Sequence, residues 1–434
     1  MKKIIMFEGD IETQGYFSRQ MMAALEKMGH AVYLYDLKKP WQSSMEMIRF
    51  IEKGNTVVLS FNFHGFCREA QFLDEEGTYI WDGLSIPVCN ILADHPYYYY
   101  KLLAQRPKRY YQLSIDGGHE AFMRRFFPEI QMGPFMPLGG TVLDGAVRAA
   151  ETDRCRTITS KAENKAEPSF SGNHFRQQEN VTGNIVTHQK KQIKDRCIDV
   201  LFTGNYASPK RFEQYITRLG DEYTAFYYEM IHDLLSNPMQ NVEDVVERYL
   251  KREIPEVTEE ELKETMQNIT FIDLYIRYTI RGEVVKTLVD NGIKVHVFGD
   301  KWDELSVAHP ENLINGDSLF SEECLAYTCD SKICLNVLPW FREGPHDRIF
   351  NTMLNGACLL TDTNSYLDEM LRDGENCRIF DLTALEKLPQ IVRELLADET
   401  GMQRMADQGY ECAKNHTWEK RMEVFHEWVE SLET

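Results

Sequence analysis

Apolar residues run along this chain in two rhythms, and the rhythms alternate. Short, nearly unbroken apolar runs bounded by Gly, Pro, Asp or Asn predict buried strands, and apolar residues three or four apart predict helices packed on them. In the first third, residues 3–9 predict a strand. Phe17, Met21, Leu25 and Met28 form one face of a helix that opens near Gly15 and ends at Gly29. Further strands are expected at 31–36, 56–60, 87–93 and 110–115, with helices around 44–53, 96–104 and 118–127, and a last strand ending at Leu138. The alternation resumes with a strand at 198–202 and the turn Gly204-Asn205-Tyr206. A long helical stretch over 209–290 follows, interrupted at Asn237-Pro238 and Ile254-Pro255, then a strand at 294–298. Helices near 383–397, 401–414 and 417–432 close the chain.

Strand–helix alternation of this kind builds doubly wound α/β sheets. A chain of 434 residues exceeds the roughly 250–300 that one core sustains, so two such domains are expected. The first spans 1–142 and the second 198–416, with a helical insertion at about 212–276, and 417–434 forms a terminal helix. Between them, 143–197 is polar, poor in large apolar residues and without a period. It reads as a linker or surface excursion, with an extra β-hairpin as the alternative.

Composition narrows the function. The chain is 43% hydrophobic and 12% aromatic, enough for substantial cores. No apolar run approaches the roughly 18–20 residues of a membrane span, and the opening MKKIIMFEGDIE reads as a strand instead of a secretion signal, so the cytoplasm is the expected compartment. A net charge of −20 argues against a DNA or RNA partner. The ten cysteines lack CxxC pairs, and the five-residue spacing of Cys324, Cys329 and Cys334 turns them to different faces of a helix. Free thiols are expected, and no metal site.

The most informative stretch is 336–377, NVLPWFREGPHDRIFNTMLNGACLLTDTNSYLDEMLRDGENC. It predicts a short buried strand, a loop carrying Glu343, His346, Asp347 and Arg348, a helix ending at Asn355-Gly356, a second strand at 357–360, the acidic turn Thr361-Asp362 and another helix. A helix N-terminus beside an arginine suits a diphosphate, because backbone N–H groups and the helix dipole favour anions and a guanidinium binds phosphate oxygens in pairs.

Two α/β domains in tandem with a returning C-terminal helix resemble the GT-B architecture of glycosyltransferases. DVLFTGNY at 199–206, RGEVVKTLVDNGIKVHVFGDKW at 281–302, KICLNV at 332–337, the R-x-F-N-x-M-x-x-G-A-x-L-L-T-D run at 348–362 and HTWEKR at 416–421 are similar to segments of the CgeB-like (spore-maturation type) glycosyltransferases. LADHP at 92–96 and FMPLGG at 135–140 resemble that family's N-terminal half. The resemblance implies two Rossmann-like domains facing a cleft and a nucleoside-diphosphate sugar as donor, with UDP as the default nucleotide. It also implies a saccharide, protein or other hydroxyl acceptor and no metal or other cofactor. One position departs: where many retaining GT-B enzymes carry Glu-x7-Glu, Glu343 is followed eight residues later by Asn351, which leaves the stereochemical class open.

Such a transfer needs a counter-charge for the leaving diphosphate, a base for the acceptor hydroxyl and exclusion of water. Arg348 is the first choice for the diphosphate, with His346 and Asn351 beside it. Gly204, Asn205 and Tyr206, the cations Lys210, Arg211 and Arg281, and a stacking Trp302 complete the candidate donor site. Asp94 and His95, at a predicted strand end, are candidate catalytic groups together with Glu343. His64 and Tyr97 are candidates for the acceptor side. Each has a plainer reading: helix capping for Asp94 and His346, core packing for Trp302, surface pairing for the cations. Two other functions share the scaffold, a nucleotide-sugar epimerase and a non-catalytic nucleotide-sugar-binding protein.

Overall fold

The computed structural model describes residues 1–143, 146–148, 185–187, 191–338 and 341–432. The chain begins with β1 (Lys3–Glu8), α1 (Glu12–Lys27), β2 (Ala31–Asp36), α2 (Pro40–Phe50), β3 (Thr56–Phe61), β4 (Val88–Leu92), β5 (Tyr110–Ser114), α3 (Gly117–Phe126) and β6 (Gln131–Met132). These strands form one parallel sheet in the order β2-β1-β3-β4-β5-β6. β3 and β4 are buried along their whole length, as strands covered on both faces must be, which explains their mostly apolar sequences; the buried Asn90 is satisfied by Phe63 N–H and the Tyr110 hydroxyl.

Two short strands, β7 (Ala146–Arg148) and β8 (Ile185–Thr187), pair antiparallel; the rest of the expected linker up to residue 190 lies outside the described residues. A second parallel sheet contains β9 (Ile198–Thr203), β10 (Val295–Phe298), β11 (Leu313–Asn315), β12 (Ser331–Asn336), β13 (Cys358–Thr361) and β14 (Arg378–Ile379), ordered β11-β10-β9-β12-β13-β14. Its helices are α4 (Asp221–Ser236), α5 (Val242–Glu253), α6 (Glu259–Met266), α7 (Thr270–Asp290), α8 (Ser321–Cys329), α9 (Asp347–Leu354), α10 (Leu388–Ala397), α11 (Glu399–Ala413) and α12 (Trp418–Ser431).

Strand order locates the two crevices. In the first sheet the chain runs from β1 to β2 on one side and then to β3 on the other, so the order reverses between β1 and β3. In the second it reverses between β9 and β12. Crevices beyond the carboxyl ends of strands at such reversals are where doubly wound sheets hold ligands.

The halves are held together at several places, two of them extensive. The helices α4 to α7 pack on the first sheet's side of the molecule and share one buried cluster with it, in which Phe122 and Tyr97 join Ile272 and Val246. At the rim, Arg125 reaches Glu247 (2.6 Å) and Glu259 (2.7 Å). The last helix, α12, returns to α1: the Trp418 and Phe17 rings lie 4.8 Å apart, and Gly140 donates to the His416 carbonyl at 2.8 Å.

Several boundaries differ from expectation. The strand expected to end at Leu138 stops at Met132, because Pro134 and Pro137 supply no ladder donors. The helix expected after Asp362 is only a short turn of 3₁₀ helix, Leu367–Glu369, tied down by Asn364, whose side chain bonds Phe341, Gly344 and Leu367. Eight cysteines are free thiols, as expected, but Cys197 is disulfide-bonded.

Candidate active site

The turn after β9 is built by close backbone approach. Gly204 (φ 147°) and Gly299 (φ 142°) face each other, and a Cβ on Gly299 would sit 2.3 Å from the Gly204 carbonyl oxygen. No other residue type fits such a contact. Trp302 fastens the turn from beneath. Its indole N–H donates to the Gly204 carbonyl at 2.8 Å, and its ring stacks on Tyr206 with centroids 5.2 Å apart.

Across the reversal, the loop after β12 leads into α9. His346 caps this helix, its Nδ1 accepting from the Arg348 backbone N–H at 3.3 Å. Burial, reinforced by the adjacent Arg348, lowers its pKa to about 4, so the ring is neutral at physiological pH. Arg348 itself is held by oxygens: Nε donates to Asn336 Oδ1 (3.1 Å), and the other two nitrogens to the carbonyls of Thr203 (2.7 Å) and Val337 (3.2 Å). Arg281 donates to the Asn205 carbonyl. Both guanidinium groups lie beside the Phe202 ring, at 5.3 and 5.7 Å, and neither is hydrogen-bonded to a carboxylate among the described residues. Burial lowers the pKa of Arg348 to about 10. Burial and then Arg348 lower that of Arg281 to about 9. Two buried cations stand side by side here, and each lowers the pKa of the other or of its neighbours, so a negative group placed between them is favoured.

Arg348 and His346, though not Arg281, open on a cavity of about 220 Å³ whose walls come from both halves. Gly204, Asn205, His346, Asp347, Arg348 and Asn351 line it from the second sheet, and Glu12, Thr13, Tyr16 and Phe17 of α1 from the first. Glu12 spans the gap, accepting from the Ser321 backbone N–H (3.1 Å) and hydroxyl (2.7 Å) at the start of α8. Glu12 and Ser321 were invisible to sequence reasoning, since neither stands in a motif and only the fold sets α1 against α8.

Five expected donor residues thus converge on this place: Gly204, Asn205, His346, Arg348 and Asn351, with Arg281 buried behind Asn205. Asn351 also has structural work, accepting from the Thr141 N–H (2.8 Å) and donating to Asp347 (2.9 Å). Others do not converge. Trp302 is 0% exposed, so it stacks on Tyr206 and not on a nucleobase. Tyr206 is likewise buried by that stack. Arg211 is paired with Glu304, and Lys210 is exposed outside the cavity. Glu343 lies against α3 instead, its N–H donating to Asp116 (2.9 Å) and its carbonyl accepting from Gly117 (3.1 Å), and it does not line the cavity.

The candidates after β4 are covered by the inserted helices. Tyr97 is 2% exposed with its hydroxyl on Asp273 (2.9 Å), so it cannot face an acceptor. His95 is buried, its Nδ1 accepting from Tyr97 N–H (3.3 Å) and its Nε2 set 3.3 Å from Glu243. Asp94 stays half-exposed, but its carboxylate accepts from Tyr99 (3.2 Å) and faces Arg277 (3.6 Å). His64, after β3, is bonded to Asp10 at 3.1 Å.

Among the described residues, one group has metal-ligand proximity: His30, His426 and Glu430, where α12 meets the start of β1. The Lys2 backbone N–H donates to His30 Nδ1 (3.1 Å), so His30 Nε2 carries the proton and donates to His426 Nδ1 at 2.8 Å. A metal needs the lone pair that this proton occupies, and the group reads as a latch.

Asp362, at the end of β13, is 2% exposed, with one oxygen accepting from Leu338 N–H (2.9 Å) and the other unpartnered. Burial raises its pKa from 3.8 to about 7. Between those values the folded state holds a proton that the unfolded state has released, so stability falls as pH rises from about 4 to about 7. Denaturant unfolding across that range should show the decline in the native chain and a flatter profile in Asp362→Asn.

Comparison with known proteins bears on the fold. Residues 281–427, roughly a third of the chain, match the model of a family described as glycosyl transferase-like. No curated protein matches the sequence. HepE from Anabaena, solved in complex with UDP-glucose, superposes with a TM-score of 0.50 at 8% identity, covering 100% of both chains. An alpha-glucosyltransferase solved with UDP and a 13-mer DNA gives a TM-score of 0.50 at 12% identity, covering 99% of this chain and 98% of its own. At such identities the likeness is one of fold. Residues 281–427 are therefore a glycosyl transferase-like domain within a chain of GT-B fold, the architecture of a glycosyltransferase.

Proposed function

We propose that this protein transfers a sugar from a nucleoside-diphosphate sugar, with UDP as the first nucleotide to test, to a hydroxyl acceptor, and does so without a metal ion. The observation that carries this reading is the pair Arg281 and Arg348, two buried guanidinium groups with no hydrogen bond to a carboxylate among the described residues, at the strand-order reversal and the start of α9. A diphosphate there meets Arg348 at the cavity wall, the field of Arg281 from behind Asn205 and the positive end of the helix dipole, which together give the kind of stabilisation a divalent cation supplies elsewhere. When the bond between the anomeric carbon and the phosphate oxygen breaks, its electron pair comes to rest against these groups. The residues of α1 close the site from the other half and keep water from competing with the acceptor.

The structural neighbours were solved with UDP or UDP-glucose, which favours a UDP-sugar here. The DNA bound by one of them does not carry over, because a chain of net charge −20 repels a polyphosphate. A panel of UDP-, GDP-, ADP- and dTDP-sugars, assayed for nucleoside diphosphate release and for the fate of the sugar, tests the proposal. Slow hydrolysis of one donor is expected. Isomerised donor without release would make the protein an epimerase. Silence together with no thermal stabilisation by any donor would remove nucleotide-sugar binding altogether.

A further inference from the structure

The cavity wall contributed by the first half carries a carboxylate. Glu12 stands at the first turn of α1 and reaches across to the first turn of α8, where its two oxygens accept from the Ser321 N–H (3.1 Å) and hydroxyl (2.7 Å). Both helix dipoles favour negative charge at that place. The wall behind it is fixed. One turn along α1, Tyr16 is buried facing Thr141, whose N–H donates to Asn351 (2.8 Å), and Phe17 packs on Trp418 of α12.

A carboxylate here repels the phosphates that Arg348 attracts, so its use lies with another part of the ligand. Glu12 does not neutralise the cations: among the described residues it is bonded to neither Arg348 nor Arg281. It does not belong to a metal-ligand group either, because among the described residues that group is His30, His426 and Glu430, outside the cavity. A carboxylate accepts hydrogen bonds and donates none, and it therefore selects hydroxyl or N–H groups. Both partners of Glu12 come from the single residue Ser321, and each oxygen keeps a second lone pair. Its polar neighbours in the wall are committed. Asn351 spends its oxygen on Thr141 and its amide N–H on Asp347, and Asp347 is buried, whereas Glu12 is partly exposed.

We propose that Glu12 binds a vicinal diol of the donor, an assignment that rests on the glycosyl-transfer reading above. Its two oxygens accept from two neighbouring hydroxyls at once, a pair that both the ribose and the transferred sugar present. Recognition of the donor is then divided between the halves, with the diphosphate held by the second and hydroxyls by the first. The contact also sets the direction of the ligand, phosphates toward α9 and hydroxyls toward α1. A ligand that lacks one of these hydroxyls leaves the carboxylate short of a donor and binds more weakly.

The test is calorimetric titration of the full chain with UDP, 2′-deoxy-UDP and the UDP-sugar that the panel identifies. If Glu12 holds the ribose, the native chain binds UDP about 10–100-fold more tightly than 2′-deoxy-UDP, and Glu12→Gln binds both alike. If it holds the transferred sugar, the two nucleotides bind alike, and the native chain's preference for the UDP-sugar over UDP disappears in Glu12→Gln. Ser321→Ala cuts the same bridge between the halves but keeps the carboxylate, so it should retain whichever preference the native chain shows. Equal weakening of every ligand by Glu12→Gln and Ser321→Ala, both unfolding near the native temperature, makes Glu12 a bridge only and overturns the proposal. A native chain with neither preference overturns it without any variant having to fold, and leaves the transferase reading intact. A native chain that binds none of the three ligands overturns both.

Discussion

Arg348→Ala should lower kcat/KM by about 10²–10³-fold, the loss typical of one preorganised contact to developing negative charge, or about 2–4 kcal/mol. The magnitude follows from how the side chain is held. Three hydrogen bonds to Asn336, Thr203 and Val337 fix the guanidinium before any ligand arrives, so no ordering is left for the transition state to require. The same bonds tie the ends of β9 and β12 together, so part of any loss in the alanine variant could be structural. Arg348→Lys separates the two effects, since it retains the charge but not the planar fork. It should unfold near the native temperature and still transfer sugar at least about tenfold more slowly, as expected for loss of part of that 2–4 kcal/mol. Native turnover in both variants would remove Arg348 from the donor site.

The second large effect concerns Trp302. Because it is fully buried between Phe202 and Tyr206, with its N–H on the Gly204 carbonyl, Trp302→Ala should destabilise the chain by about 3–5 kcal/mol. For a half-molecule of this size that is a fall of roughly 6–20 °C in Tm. A residue that stacked on a nucleobase would behave in the opposite way, losing donor affinity at nearly native stability. Trp302→Phe, which retains an aromatic ring but leaves the Gly204 carbonyl without its donor, should fall between the native chain and the alanine variant in Tm. Calorimetric unfolding together with donor titration of the two variants decides the matter.

Much of the fold was legible along the chain because strands buried on both faces are predominantly apolar. β2 was expected at its observed limits, and β3, β4, β5 and β9 within a residue or two. The start of α1 was placed three residues late, at Gly15 instead of Glu12, since Glu12 and Thr13 break the apolar pattern that marks the rest of the helix. The loop before α9 stood out as a candidate site because its polar residues stand between a strand and a helix; of the four singled out, His346, Asp347 and Arg348 line the cavity and Glu343 does not. Trp302 and Tyr97 were misjudged for one common reason. Each follows a strand end, the position of ligand-facing residues, but each is covered by a segment distant in sequence, the 204–206 turn for Trp302 and α7 for Tyr97.

Local pattern therefore settled the alternation of strands and helices and the two-sheet plan, and it singled out the loop before α9 as a candidate, all from residues near one another in the chain. Tertiary packing alone decided which polar residues share a site. The order of strands in each sheet put Asp10 beside His64 and Gly204 beside Arg348, pairs separated by 54 and 144 positions. It also set α1 against α8 and laid the inserted helices over Asp94, His95 and Tyr97. The physical reason is that periodicity records whether a side chain is buried, and carries no record of which distant segment buries it.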